Sequence, residues 1–525
     1  MTTTLTLPPV PRRDVASLPQ RLVPRMPSSG WRGWLGPIVV TIIGGILRFV
    51  SLGRPHDIMF DETYYPKDAL SYLQFGVERT FIDKANDVIL GSDGNWQALN
   101  LFKNSAEFVV HPPVGKWFLA AGEWIFGATP FGWRFVVAVL GTLSILMCAR
   151  IARRLTRSDI VGTIAGLLLA LDGMHLVLSR TGLLDMVLMF WVLAAFGFLL
   201  IDRDRTRGRL AKLITESGLT KTASVWGPRL GVRPYRWAAA VSLGLACGVK
   251  WSGLWFLAFF AIMTVVWDVS ARRAVGVQRP WAATLLRDAP AAAASFLAIA
   301  GITYLVSWTG WFVSDLGYGR MWATGDSIIP DALRSLWHYH AEAWRFHVNL
   351  ASGHSYASNA LSWPVQARPT AFYWHAVEDG SEGCSTKHCA AEVLALGNPI
   401  IWWAAIGAVL HQAWRWIGRR DWRSGAVLVG ILAGWLPWLL YLNRTIFTFY
   451  VVAFVPFIAM ALAMTLGSVL GPVDAPMVRR RNGALAVGAF LILVLAAAWW
   501  FYPVWTGILL PYDQWQLRMW SPTWI

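Results

Sequence analysis

Residues 34–65 read WLGPIVVTIIGGILRFVSLGRPHDIMFDETYY. The first part, 34–52, is an apolar run of the length needed to cross about 30 Å of hydrocarbon. The second part places two adjacent carboxylates, Asp61 and Glu62, just beyond the end of that run. Charges at a membrane interface cost desolvation unless they are paired or used. This stretch therefore points to an architecture of membrane-spanning helices and to a place to look for chemistry.

Further apolar runs lie near 131–150, 160–178, 183–201, 237–249, 253–267, 289–312, 398–414, 425–442, 446–468 and 484–502. With 34–52 they make eleven expected spans. The 237–249 and 253–267 segments are short, and the break at Lys250–Gly253 reads as a tight hairpin, with one kinked helix as the alternative. Composition agrees: 56% of the 525 residues are hydrophobic and only 14% charged, against roughly 25% charged in a soluble domain. The expected fold class is an all-α integral membrane protein.

The net charge of +16 need not mean nucleic acid, because the basic residues cluster between apolar runs. No basic domain interleaved with aromatics is present, so neither RNA nor DNA is an expected partner. Arg150/Arg153/Arg154/Arg157, the stretch Arg203 to Arg236, Arg272/Arg273/Arg279/Arg287, Arg415/Arg419/Arg420/Arg423 and Arg479/Arg480/Arg481 fall in every second connection. The positive-inside rule then puts the N-terminus in the cytoplasm and, with an odd number of spans, the C-terminus outside. The expected partition is a disordered cytoplasmic tail (1–32), a transmembrane catalytic domain (33–505) and an extracytoplasmic tail (506–525). Membrane lipid, with its anionic headgroups, is an expected partner of the basic blocks.

Two outer connections are long, about 53–130 and 313–397, and loops of that size usually carry function. Within them, 332–350 and 114–126 show apolar residues at helical spacing and read as amphipathic helices at the membrane surface. No internal repeat supports a transporter built on inverted symmetry. Cys384 and Cys389 lie in the second loop, where an oxidising exterior favours a disulfide; a metal site with His375 or His388 is the alternative.

The candidate chemistry gathers on the outer side. Asp61 or Glu62 is placed to take a proton from an acceptor or to hold a base; a solvated pair that merely ends the first span is the bland alternative. His111-Pro112-Pro113-Val114-Gly115-Lys116 sets a His and a Lys at the start of an amphipathic helix, either to meet an anionic headgroup or as loop-to-helix punctuation. Arg134, Arg180, Asp185, Lys250 and Arg444 sit near the outer ends of spans, where ionisable groups are rare. A structural Arg180–Asp185 pair is one reading. Lys250 and Arg444 oppose the positive-inside trend, and an outside phosphate would explain them. His338, His340, His347, His354, Tyr356 and Trp363, with Tyr64, suit the wall of a sugar pocket. Zinc binding at His340 and His347 and plain helix packing are the alternatives. No phosphate-binding loop or dinucleotide fingerprint is present, so an activated donor already in the membrane fits better than a nucleotide sugar.

Taken in order, Asp61-Glu62, His111-Pro112-Pro113 with Lys116, Arg180 through Leu183-Leu184-Asp185-Met186, Gly248-Val249-Lys250-Trp251-Ser252-Gly253, His354-Ser355-Tyr356 with Ser362-Trp363-Pro364, Gly397-Asn398-Pro399 and Arg444-Thr445-Ile446-Phe447 resemble the protein O-mannosyltransferase family. The likeness runs from about residue 34 to 505. It implies a C-type glycosyltransferase (GT-C) fold with eleven spans on a plasma membrane. It also implies a polyprenyl-phosphate-mannose donor and Ser/Thr-rich exported proteins as acceptors, with the protein export channel as a further partner. By motif it casts Asp61 as the general base and Glu62 as its partner. His111 and Lys116 become site-forming, and Arg134, Lys250 and Arg444 position loops or the donor phosphate. The second loop, about 85 residues, is too short for the β-trefoil (MIR) insert of eukaryotic members, which resembles the shorter actinobacterial form. The expected reaction is one inverting displacement: Asp61 takes the acceptor proton and cations stabilise the leaving phosphate. It needs no cofactor beyond the lipid donor and requires no metal, and the sequence leaves a divalent ion open.

Overall fold

Helices occupy all eleven places where the sequence is apolar. The computed structural model describes residues 17–219, 221–222 and 224–525. Among these, eight helical stretches are long and apolar enough to cross a membrane: Arg32–Phe49, Pro130–Thr156, Asp185–Glu216, Gly253–Ala274, Ala289–Ser307, Trp422–Leu440, Thr448–Leu470 and Met477–Thr506. The other three places hold shorter or more polar helices. Asp159–Ala170 stops and resumes as Gly173–Leu178. Pro234–Cys247 has 14 residues, roughly 21 Å of helix. Pro399–Arg419 carries His411, Gln412, Arg415 and Arg419 along its second half.

Pro234–Cys247 and Gly253–Ala274 are separate helices joined by a tight turn. Gly253 makes the turn possible, since a Cβ there would come within 2.7 Å of the Cys247 nitrogen and 2.8 Å of the Ala246 carbonyl carbon.

The fold is mostly helical. Two small sheets lie in and beside the long loops: β1 (Arg79–Phe81) pairs with β2 (Phe102–Ala106), and β3 (Thr370–Val377), β4 (Cys389–Ala395) and β5 (Leu510–Pro511) form an antiparallel sheet in that order. These strands add to the helices expected in the loops. The two amphipathic segments do form helices, Val114–Phe126 and Asp331–Asn349.

Of the expected tails, residues 17–32 and 506–525 are described and pack on the rest of the chain. The first 16 residues lie outside the described ones. From there, Leu18–Leu22 is a short helix whose two leucines, four apart, bury against Leu210, Ala211 and Ile214. At the other end β5 joins β4, the Trp515 Nε1–H donates to Glu392 at 2.7 Å, and the Trp524 Nε1–H donates to the Gln366 carbonyl at 2.9 Å. Residues 506–525 are therefore part of the second outer loop's sheet, because their tryptophans need an apolar floor and a partner for each N–H. The two long loops are also clasped together: the Tyr339 hydroxyl accepts from the Val109 N–H at 3.1 Å and donates to the Val109 carbonyl at 2.7 Å.

Candidate active site

Asp61 sits on a single 3-10 turn, Phe60–Thr63. The turn is closed by Glu62: the Met59 N–H donates to Glu62 Oε2 at 3.0 Å, and the Glu62 N–H donates to the Met59 carbonyl at 2.9 Å. Phe60 adopts a φ of +49°, a region that costs a residue with a side chain about 1 kcal/mol or more. Its packing offsets this. The ring stacks on Phe372 at 5.1 Å and meets Phe447 and Phe449 edge-on at 5.6 Å each.

Successive residues of a 3-10 turn point about 120° apart, and the two acids diverge accordingly. Glu62 turns inward and is fully buried. Arg134, on the first turns of its helix, grips it with Nε–H to Oε1 at 2.8 Å and Nη2–H to Oε2 at 2.7 Å. The Gly182 N–H adds a third donor at 2.7 Å. Arg134 also donates to the carbonyls of Pro55 and Asp57 at 2.9 and 2.8 Å. Both charges are thus satisfied inside the protein.

Asp61 turns the other way, into a cavity of about 1560 Å³, well above the roughly 300–1,000 Å³ of a drug-sized ligand site. Burial pushes its carboxyl up to about 6, against the pull of the Lys250 ammonium and a hydrogen bond from Tyr65. It is therefore mostly ionised at pH 7, with a proton affinity suited to a base.

Two cations face the same space. Lys250 pairs with Asp185 at 2.7 Å and lies 5.6 Å from the Tyr450 ring. Arg444 contacts no carboxylate among the described residues; its Nη2–H donates to His347 Nδ1 at 3.3 Å, and its Nε is buried without a partner. The His347 Nε2–H donates to the Val110 carbonyl at 3.1 Å, which leaves Nδ1 free to accept from Arg444. Burial and the Arg444 charge hold His347 down at about 4. Burial and the Lys250 charge hold His111, stacked on His347 at 5.4 Å, well below the usual histidine range. Both rings are neutral at pH 7.

Away from these groups the cavity is apolar, walled by Leu254, Phe256, Leu257, Phe296, Leu297 and Pro437 from three membrane helices. Leu254 and Leu297 are 51% and 70% exposed, so this part opens sideways. A charged end continuous with an apolar, laterally open channel suits an amphiphile: a phosphate head and a lipid tail.

Of the expected site residues, Asp61, Tyr64, His111, Asp185, Lys250, His340, His347, His354 and Arg444 line this cavity. Seven do not. His338 stacks on Trp322 instead, ring centroids 3.9 Å apart. Glu62 and Arg134 satisfy each other, as described. Lys116 is fully buried, bonded to Glu78 and to the His111 carbonyl at 2.8 Å. Arg180 does not pair with Asp185; it caps the end of the first span through the carbonyls of Arg48, Val50 and Ser51 at 2.7, 2.8 and 3.1 Å. Trp363 is buried, its Nε1–H on the Ser358 carbonyl at 3.3 Å, and Tyr356 lies under the Arg368 guanidinium. Neither forms a wall of the cavity, because each is used up locally.

Cys384 and Cys389 are joined in a disulfide, and His375 instead bonds Glu382 at 2.8 Å. His340 bonds the Tyr304 hydroxyl at 2.6 Å and the Leu336 carbonyl at 2.7 Å. Among the described residues no group of three His, Cys, Asp or Glu side chains is placed to hold a metal ion. Sequence reasoning overlooked Tyr65, Asp68, Glu107, Trp251 and Tyr450, which also line the cavity. Asp68, an acid on the buried face of the helix that follows Asp61, was the available signal.

Residues 38–287 match the family model for dolichyl-phosphate-mannose–protein mannosyltransferases, and residues 332–524 match that for the C-terminal four-TMM region of protein-O-mannosyltransferase. The chain belongs to the protein O-mannosyltransferase family. It is 40% identical over 508 residues to the polyprenol-phosphate-mannose–protein mannosyltransferase of Mycolicibacterium smegmatis, covering 94% of this chain and 93% of the relative. The corresponding Corynebacterium glutamicum protein is 34% identical, covering 99% and 96%. The Saccharomyces cerevisiae Pmt1–Pmt2 complex bound to the sugar donor superposes with a TM-score of 0.70 at 14% identity, covering 94% of this chain and 93% of that one. This protein O-mannosyltransferase is thus a multi-pass membrane glycosyltransferase of GT-C fold.

Proposed function

We propose that this protein O-mannosyltransferase moves a mannosyl residue from polyprenyl-phosphate-mannose to Ser/Thr hydroxyls of exported proteins on the extracytoplasmic face, inverting the anomeric centre. The observation that carries this reading is the pairing of Asp61 with Arg444 across one cavity: an ionised carboxylate and a cation without a carboxylate partner. The names of the Mycolicibacterium and Corynebacterium relatives support the donor and the protein acceptor.

In this reading the lipid tail lies in the apolar channel and the donor phosphate meets Arg444 and Lys250. Asp61 accepts the proton of the acceptor hydroxyl as its oxygen bonds to the anomeric carbon. The bond from that carbon to the phosphate oxygen breaks, and the cations stabilise the charge left on the phosphate. Lys250 and Asp185 hold each other in place. Neutral His111 and His347 contribute hydrogen bonds without competing for the phosphate as cations. Glu62 and Arg134 position the turn, and Lys116 and Arg180 hold the surrounding loops. The chain crosses the plasma membrane eleven times, N-terminus inside and C-terminus outside, and takes its unfolded acceptors as they leave the export channel.

The experiment is transfer of radiolabelled mannose from polyprenyl-phosphate-mannose to a Ser/Thr-rich peptide, in membranes holding wild type or Asp61→Asn at equal protein level. Label on the peptide with wild type and its loss with Asp61→Asn is the expected result. Label appearing only on a lipid or glycan would overturn the acceptor, and near-normal activity of Asp61→Asn would overturn the base.

A further inference from the structure

Two acids of the cavity lining, Asp68 and Glu107, are unused by this mechanism. Asp68 is only 2% exposed, yet its carboxylate makes no hydrogen bond among the described residues. Glu107 is half-buried, and its Oε2 is fully buried with no partner. The nearby lysines are occupied elsewhere, Lys116 with Glu78 and Lys67 with Asn86. A buried polar group without a partner costs about 1–3 kcal/mol, so two acids of one cavity lining that lack hydrogen-bond partners among the described residues mark a place for hydrogen-bonding ligand atoms.

The chemistry narrows the ligand. Two acids beside Glu78 repel phosphate. Burial holds the Asp68 carboxyl well above the usual range, and burial with the Glu78 charge brings Glu107 to about 7. Protonated carboxyls both donate and accept, as sugar hydroxyls do. Tyr65, which also lines the cavity, feels the charges of both Asp61 and Asp68.

We propose that Asp68 and Glu107 form a hydroxyl-recognition subsite that reads the donor sugar through ring hydroxyls remote from its anomeric carbon. The subsite rests on the reading of the donor as a glycosyl lipid phosphate. With the phosphate at Arg444 and the anomeric carbon before Asp61, the far edge of the sugar reaches the acid pair. The pair then contributes to sugar identity, because a missing or inverted hydroxyl leaves a buried carboxyl unpartnered.

The test is binding to the intact protein in nanodiscs. Polyprenyl-phosphate-mannose, its 4-deoxymannose analogue and bare polyprenyl phosphate are compared for wild type, Asp68→Ala and Glu107→Ala, which remove the hydrogen-bonding group that an amide would keep. Wild type is expected to prefer the mannosyl lipid to the bare one by about tenfold or more, a step of roughly 1.4 kcal/mol. Each variant is expected to lose most of that preference. The deoxy analogue is expected to bind wild type weakly and to lose nothing further in the variant whose partner it lacks, the non-additivity of groups in contact. If Asp68→Ala does not fold, Glu107→Ala at the half-buried position and the deoxy analogue on wild type decide alone. Variants that keep the wild-type preference, or a deoxy lipid that binds wild type as well as the mannosyl one, overturn the subsite. A sugar preference that depends on both acids but comes without transfer to peptide would support the subsite and sink the acceptor assignment.

Discussion

Arg134 meets Glu62 through two parallel hydrogen bonds of 2.8 and 2.7 Å, and neither side chain is exposed. The pair fastens the turn that holds Asp61. Breaking a buried ion pair by removing one partner costs about 3–5 kcal/mol. Glu62→Gln and Arg134→Met are therefore expected to lower the thermal unfolding midpoint in detergent far more than Asp61→Asn does. A Glu62→Gln protein that unfolds like wild type yet is inactive would instead give Glu62 a direct part in the reaction.

The pH profile of kcat/KM is expected to show one acid limb. Asp61 must be ionised to accept a proton, and its carboxyl lies at about 6, so activity rises with pH through that value. His347 at about 4 and His111 below the usual range are already neutral there, so neither adds a second step. Transfer rates from pH 4.5 to 8 check this; a limb of slope two would point to a histidine acting with Asp61.

Arg444 lines the cavity without a carboxylate partner among the described residues. Arg444→Ala is expected to raise KM for the lipid donor by tenfold or more and to lower kcat, with partial recovery in Arg444→Lys, which keeps the charge but loses the planar fork. Steady-state kinetics with varied donor give the answer. An unchanged donor KM would move the phosphate to Lys250.

Arg180 works on backbone carbonyls at the end of the first span. Arg180→Leu leaves those acceptors buried, at about 1–3 kcal/mol for the set. The expected result is a lower unfolding midpoint with donor KM unchanged per folded molecule. A selective rise in donor KM would return Arg180 to the phosphate site.

The helices were legible because each is a local event, an apolar run ended by charges. The place of Asp61 in the cavity lining was open to the same reading, because a carboxylate just past an apolar run marks a site or a pair. Partnerships were not. Glu62 finds Arg134 across 72 positions and Lys250 finds Asp185 across 65, and spacing carries no trace of such pairs. Arg180 and Asp185, close in sequence, looked like a pair and are not one, because free carbonyls at a helix end compete for the guanidinium. The β3–β4 hairpin escaped because its inner half, Thr370 to Phe372, is buried without alternation. Asp68 was not singled out, because nothing in its spacing marks it as part of a cavity lining.

The clasp between Tyr339 and Val109 joins the two outer loops by hydrogen bonds that reach across 230 positions of sequence. The Val109 side of the clasp is backbone alone, so any residue but proline can supply it, and the contact depends on Tyr339. A chimera that borrows residues 53–130 from a relative should keep the clasp as long as Tyr339 stays, whereas Tyr339→Phe should let the two loops move independently.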